Sequence, residues 1–561
     1  MSIQEANPSA QGPQSQVEAE PTVDEPAPFQ HTWRIWTVFL VLCMLSFMAS
    51  IDSTVITTSL PTITREIGGA GQYVWIANSY LFACTVPQPL YSQLANIFGR
   101  RNPLLVAVAL FTLGSGLAGG AHNVGMLITG RTIQGLGSGG LYVLSDIIIC
   151  DLIPPRYRGP YISAVLSSAA IGTTIGPIIG GSLAQTDWRW VFWINLPVMG
   201  FGLLGILLAL NVQYRRSPSW LHALARVDFV GNAIFIPSMV ALFFGLIMGG
   251  QHGYPWASWR VILPLVLGVV GWAIFHLYEA SAFCREPGIP TRLFQHRTSA
   301  AGFIMIFLAS IIMQSLAYFL PVYFQAVRGM TPLMSGVSFL PFALAIIPFG
   351  GLAGGFLSKT GQYRPLHWAG FALSAVGAGL FSMLRARSST GAWVGFQIIA
   401  SGGTGLIFTA TLPSTLAALP EADVAVATGV YSFVRSLGLV WGATMAAIAF
   451  NGRIDAHLAP YDDPAAHALL SGGEAYANAA GSLRDLPEPT HSLVIEVYER
   501  SLSDIWLVFV GVACLGFLVT FFEKHVELRK HHSTEFGLAK DTSSSDKAER
   551  AGESNLRESK T

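Results

Sequence analysis

The sequence predicts an all-α integral membrane protein with fourteen spanning helices, arranged as two six-helix halves plus two extra central helices. Three observations predict it. The first is composition: of 561 residues, 52% are hydrophobic and 11% charged, with mean hydropathy +0.50. Soluble domains carry about 25% charged residues, so charge here is halved, and it gathers in tails and short gaps. The second is spacing. Apolar runs of about 20 residues, enough to cross a bilayer, recur along the chain, and the short gaps between them make neighbours antiparallel. The third is an internal repeat at equivalent places in the two halves.

Other classes are excluded early. The formal net charge is zero, so no nucleic-acid partner is expected. The five cysteines have no metal-ligand spacing and read as packing residues. No G-x-x-x-x-G-K-[ST] loop cradles phosphates and no H-E-x-x-H is present, so neither an ATP-driven machine, an enzyme, a metal nor a cofactor is expected.

In chain order, residues 1–33 are rich in Pro, Gln and Glu and read as a disordered cytoplasmic tail. The first run lacks the short apolar core and small-residue cleavage site of a signal peptide. The runs are 35–60, 73–95, 103–121, 124–149, 161–184 and 190–210 in the first half, which spans 34–211. Runs 229–249 and 259–280 form the insert within 212–298. Runs 300–322, 334–357, 366–384, 393–418, 427–450 and 505–522 form the second half, 299–523. Its long loop, 451–503, falls on the external side, with an interfacial helix expected over 494–505. Residues 524–561 read as a second disordered cytoplasmic tail. Basic residues favour cytoplasmic termini: Arg100, Arg101, Arg156, Arg158, Arg215, Arg216, Arg226, Arg285, Arg292, Arg297, Lys359 and Arg364 then lie inside, against isolated Arg65, Arg189 and Arg328 outside and Arg385 and Arg387, which break the rule.

The repeat follows the second and tenth runs. LANIFGRRNP and LSKTGQYRP share Gly-x-x-x-Pro, as Gly99 with Pro103 and Gly361 with Pro365, flanked by Arg100, Arg101 and Arg364. An offset of eight runs fits two six-helix halves separated by two helices.

The first run carries Asp52, where a charge costs about 2.5–3.5 kcal/mol on insertion scales. Asp52 lies eight residues before Leu60, about 12 Å below the outer end. Arg131 lies seven residues into the fourth run, about 10 Å deep. Opposite charges at matching depth read in two ways: a carboxylate that gains and loses protons, or a fixed ion pair joining two helices. Asp146, late in the fourth run, is either a further carboxylate on a proton path or a solvated helix-end residue. Thr54, Thr57 and Gln134 are candidates for the wall of a central cavity. Gly135, Gly137 and Gly140 match G-x-G-x-x-G formally, but inside a spanning helix whose backbone donors are already used they read as packing. In the fifth run, GTTIGPIIGG places Gly172, Gly176 and Gly180 on one stripe, with Gly181 beside it and Pro177 bending the helix. The stripe reads in two ways: a pivot packed on the opposite half, favoured by the Gly-Pro placement, or glycine packing alone.

With these residues in view, the chain resembles the major facilitator superfamily, in its fourteen-helix drug:proton antiporter branch. IDSTVITTSLP is similar to that branch's first-helix motif through Ile51, Asp52, Thr54, Val55, Leu60 and Pro61. RTIQGLGSGG is similar to R-x-x-Q-G-x-G through Arg131, Gln134, Gly135 and Gly137. GTTIGPIIGG resembles the antiporter motif G-x-x-x-G-P-x-x-G-G, and DWRWVFWINLP, 187–197, resembles the segment that opens the sixth helix. The resemblance implies proton-coupled efflux of amphipathic small molecules across a lipid bilayer. A monomer is expected, at the plasma membrane in preference to a vacuolar one because neither tail carries a sorting signal. Uptake, as of siderophores, and a nontransporting receptor are the alternatives. Two residues depart from the pattern. Asn96 replaces the loop aspartate before Gly99, which leaves Asp151 as a substitute charge, and Thr57 replaces an asparagine. The resemblance gives Arg435, in the thirteenth run, a structural or gating role; contact with an anionic substrate is the other reading.

Overall fold

The computed structural model describes residues 32–67, 73–211, 219–250, 254–284, 286–471, 475–479, 483 and 486–529. The tails at 1–31 and 530–561, and Arg215, Arg216 and Arg285, lie outside the described residues. Among those described, the chain is helical throughout, with no β-strand.

The first helices are α1 (Trp33–Ile67), α2 (Tyr73–Thr85), α3 (Gln88–Phe98), α4 (Arg101–Gly119), α5 (Val124–Leu152), α6 (Arg158–Thr186), α7 (Trp190–Trp193) and α8 (Asn195–Ala209). Next come α9 (Trp220–Ala225), α10 (Phe229–Met248) and α11 (Trp259–Glu279). The remainder are α12 (Arg297–Val322), α13 (Pro332–Thr360), α14 (Arg364–Phe381), α15 (Thr390–Ala417), α16 (Val424–Leu458), α17 (Pro464–Leu470), α18 (Ala475–Asn478) and α19 (Thr490–Val519). Twelve helices among the described residues are long and apolar enough to cross a membrane. Two of the fourteen expected runs are not in that set. The second is split into α2 and α3 at Pro87, which cannot donate a backbone hydrogen bond. The eleventh is α14, of 18 residues.

The repeated Gly-x-x-x-Pro has a backbone cause. Gly99 and Gly361 both have positive φ, 78° and 72°, at the ends of α3 and α13. An L side chain is disfavoured there. Pro365 then sits in the first turn of α14, where its missing N–H costs nothing.

Packing follows two groups. Helix α1 lies against α6, α5 and α8, and α5 against α4 and α2. In the second group α12 packs on α16, α15 and α19, α13 on α15, and α14 on α15 and α19. The groups meet through α6 with α13 and through α16 with α3 and α5. The insert, α10 with α11, leans on this second seam by rings: Phe243 stacks on Phe82 at 6.2 Å, and Phe235 meets Phe433 edge-on at 5.2 Å.

Two expectations change. The separate interfacial helix over 494–505 does not exist. Val494, Val497, Tyr498, Ser501, Leu502 and Ile505 are all buried at helical spacing, so the apolar stripe of the last span continues outward and α19 runs unbroken for 30 residues. The segment after α19 is not loose at its start. Residues 523–529 run extended as a strap across the arginine-rich end. Lys524 N–H donates to Thr298 Oγ1 (3.1 Å), Tyr363 Oη donates to Lys524 O (2.9 Å), and Val526 N–H donates to Tyr363 Oη (2.6 Å). Leu528 is buried among Leu357, Tyr363 and Leu366. Arg156 N–H, from the first group, donates to Arg529 O (3.3 Å).

The loop beyond α16 supplies a pH-dependent contact. Asp463 accepts from Thr490 Oγ1 (2.6 Å) and from the amides of Ala466 (3.1 Å) and Ala465 (3.0 Å), capping α17. The Thr490 hydroxyl and these amides hold its carboxyl below the ordinary value of 3.8. The cap is therefore at full strength above 3.8 and is lost as pH falls through the lower folded value. The protection of the Ala466 amide, relative to its intrinsic exchange rate at each pH, is expected to fall across that acid window in the wild type, and to be low at every pH in Asp463→Ala.

Candidate functional site

Asp52 sits in α1 with no exposed surface, and Arg131 and Gln134 on α5 have none either. Arg131 Nη1 donates to Asp52 Oδ2 at 2.6 Å. Gln134 Nε2 donates to Asp52 Oδ1 at 2.6 Å, and Asn195 Nδ2, from the first residue of α8, donates to the same oxygen at 2.8 Å. Arg131 Nη1 also donates to Gln134 Oε1 (2.8 Å), three residues along the same helix face. Ser115 on α4 accepts from Gln134 Nε2 (2.8 Å) and Asn195 Nδ2 (3.2 Å). The ring of Tyr80, from α2, lies 4.2 Å from the guanidinium carbon of Arg131. Five helices thus converge on one carboxylate, and the arginine charge and the three hydrogen bonds act against its desolvation.

Why α5 can supply these groups is a matter of small residues. A Cβ on Gly137 would collide with the Phe111 backbone of α4, one on Gly139 with the Cys84 carbonyl of α2, and one on Gly135 with the Tyr80 carbonyl. The glycines let α5 sit between α2 and α4 in direct backbone contact.

The glycine stripe of α6 faces α1, not the opposite group. Cβ atoms at Gly172, Gly176 and Gly180 would collide with Phe47 O, Thr54 Oγ1 and Val55 O of α1. The stripe therefore closes the helix that carries Asp52 against its neighbour, and Thr58 Oγ1 donates to Pro177 O (2.9 Å) along the same seam. Gly181 is different, with Thr58 Cβ as its nearest atom at 4.0 Å. Gly176→Ala is expected to cost about 1–3 kcal/mol through overpacking, while Gly181→Ala is expected to be neutral. Thermal unfolding of the two purified variants, side by side, measures the difference.

The cavity candidates are placed elsewhere than expected. Gln134 is sealed inside the Asp52 cluster, and Thr54 faces Gly176, bonding back to Ser50 O and Ile51 O (3.2 Å each). The Thr57 side chain lies outside the described residues. A groove of about 380 Å³ lies instead between α6 and α13, lined by Pro160, Ser163, Ser167, Ile171, Ile347 and Gly351 among others.

Asp146 is buried, so the solvated reading of it falls. It joins the two groups: Arg435 Nη2 of α16 donates to Asp146 Oδ2 at 3.1 Å and Ser432 Oγ at 3.0 Å. Nearby Gln88 Nε2 donates to Ser436 Oγ (3.0 Å). Arg156 donates to Ser358 O (2.9 Å) and Lys359 O (2.6 Å), and Gly159 lies against Gly354. All these joints lie toward the arginine-rich end. Within the first group Arg100 Nε donates to Asp151 Oδ2 (2.6 Å), while Arg100 Nη1 donates to Asn96 Oδ1 (2.9 Å). Arg101 Nη2 donates to Leu207 O (3.0 Å). Arg364 lies 5.1 Å from the Trp368 ring. Sequence reasoning did not single out Asn195, Ser115 or Tyr80. The one available signal was an asparagine inside an otherwise apolar WVFWINLP.

Residues 42–443 match the Major Facilitator Superfamily. The chain belongs to this superfamily. It is 48% identical over 506 residues, 90% of this chain and 92% of the relative, to the "MFS efflux transporter aclA" of Aspergillus oryzae. It is 41% identical to the "MFS-type efflux pump LUC4" of a Fusarium species, over 95% of each chain. It is 40% identical to the "Efflux pump FUS6" of Gibberella fujikuroi, over 94% and 95%. Among solved structures, the human organic anion transporter MFSD10 superposes with TM-score 0.53 at 16% identity, covering 86% of this chain and 100% of the other. The proton:xylose symporter XylE gives 0.51 at 15%, covering 85% and 99%. These two likenesses show the fold of the superfamily. It is a family of membrane transporters rather than enzymes. Among the described residues no group of three or more His, Cys, Asp or Glu is placed to hold a metal ion.

Proposed function

We propose that this multi-pass membrane protein exports amphipathic small molecules, such as drugs, toxins or secondary metabolites, in exchange for protons. The observation that carries the proton arm is the sealed Asp52–Arg131 pair, a titratable group held within the membrane by donors on two other helices, with the Tyr80 ring of a third over the arginine. The direction is supported by the efflux names of relatives that match nearly the whole chain. Residues 34–211 and 299–523 act as the two moving units, with 212–298 inserted between them, and the arginine-rich end faces the cytoplasm of a plasma-membrane protein. The inter-unit joints gather at that end and hold it closed in this conformation. Asp146 and Arg435 then form a joint that must break for the cytoplasmic side to open. Asp52 gives up its proton inward and takes one from outside as access alternates.

The test is flux in vesicles with an imposed pH gradient, scoring fungal secondary metabolites as a panel. Exchange of substrate against protons supports the reading. Movement of both in the same direction would make the chain an importer, and no gradient-driven movement of any compound would reject transport.

A further inference from the structure

We infer that Asn195 is a positioning residue whose side-chain amide serves both protonation states of Asp52, donating to the carboxylate and accepting from the acid. The inference rests on the proposed proton exchange at Asp52 and goes beyond it by naming where the proton points.

In the structure the shell around Asp52 suits a carboxylate. Both carboxyl oxygens accept, Oδ1 from Gln134 Nε2 and Asn195 Nδ2, Oδ2 from Arg131 Nη1. When a proton arrives on Oδ1, the group becomes a donor and needs an acceptor within reach. The titratable or charged groups around it are Arg131, Tyr80 and Tyr142. Arginine accepts nothing, and the Tyr80 hydroxyl is turned to Ser138 Oγ (2.7 Å). The Tyr142 hydroxyl pairs with Ser50 Oγ (3.0 Å). Gln134 Oε1 is engaged by Arg131, and Ser115 Oγ already accepts two bonds and donates to Phe111 O (2.8 Å). Asn195 Oδ1 is buried and has no hydrogen-bond partner among the described residues. Arg131 Nε shares that condition but is a donor only.

A half-turn of the Asn195 amide about its terminal bond exchanges Nδ2 and Oδ1. The oxygen then faces Asp52 Oδ1–H, and the Ser115 hydroxyl can rotate to donate to the same oxygen. No bond is broken beyond hydrogen bonds, and the one proton gained by Asp52 stays on it. A leucine could do neither job. An aspartate at 195 would add a second carboxylate.

The test uses the full chain in liposomes and needs no substrate. Acid-minus-neutral infrared difference spectra are recorded with unlabelled asparagine and with asparagine carrying ¹³C in its side-chain carbonyl. The expected result is a protonated-carboxyl band that Asp52→Asn removes. With it comes an asparagine carbonyl feature that moves on labelling and vanishes in Asn195→Leu. Asn195→Ser gives the same loss should the leucine variant not fold. A carboxyl band belonging to Asp52 with no labelled asparagine feature would make the amide a donor only and overturn the inference. A carboxyl band that persists in Asp52→Asn, or none at all, would instead reject the proton reading beneath it.

Discussion

Vesicles carrying Asp52→Asn are expected to show no pH-gradient-driven substrate movement, while the variant still inserts and binds substrate. Asparagine has nearly the shape of aspartate and keeps one acceptor for Arg131, and the Tyr80 ring still faces the guanidinium. What it cannot do is take up and release a proton at neutral pH. Exchange of one substrate molecule for another, with no gradient, needs no change of protonation and should persist. The comparison of gradient-driven flux with exchange flux is the measurement. Unchanged gradient-driven flux would reduce the Asp52–Arg131 pair to a structural bridge between α1 and α5.

Arg131→Leu is the second large effect. It leaves Asp52 at 0% exposure with only the amides of Gln134 and Asn195 as donors. Breaking a buried pair by removing one partner costs about 3–5 kcal/mol, because the remaining charge is stranded. The double variant Asp52→Leu with Arg131→Leu removes both charges, and replacing a buried ion pair by apolar residues is often neutral or stabilising. Thermal unfolding in detergent should therefore place the double variant above the single one. The opposite order would mean that the amide shell alone supports the carboxylate.

Much of this site was legible before the fold. Charges are rare in apolar runs, and their depth can be counted at 1.5 Å per residue, so Asp52 and Arg131 name each other. Asn195 could not be found that way. A lone amide carries no charge, and 143 positions separate it from Asp52, so only the tertiary fold brings them together. The joining of Asp146 to Arg435, 289 positions apart, is hidden for the same reason. Sequence spacing located the small face of α6 but not what it would face, since a smooth stripe fits any helix that approaches it. The start of the last span was missed because the buried positions from Val494 to Ile505 alternate with Glu496, Glu499 and Arg500, which lower the average hydropathy without breaking the helical period.

The strap at 523–529 bears on how the protein is made. Arg156 is synthesised early, yet the carbonyl it bonds belongs to Arg529, more than 370 positions later. A nascent chain can insert its helices one after another while the ribosome is still attached, but this clasp has nothing to hold until α19 has left the translocon. The protein is thus assembled with this one clasp at its arginine-rich end still open, and the clasp closes last.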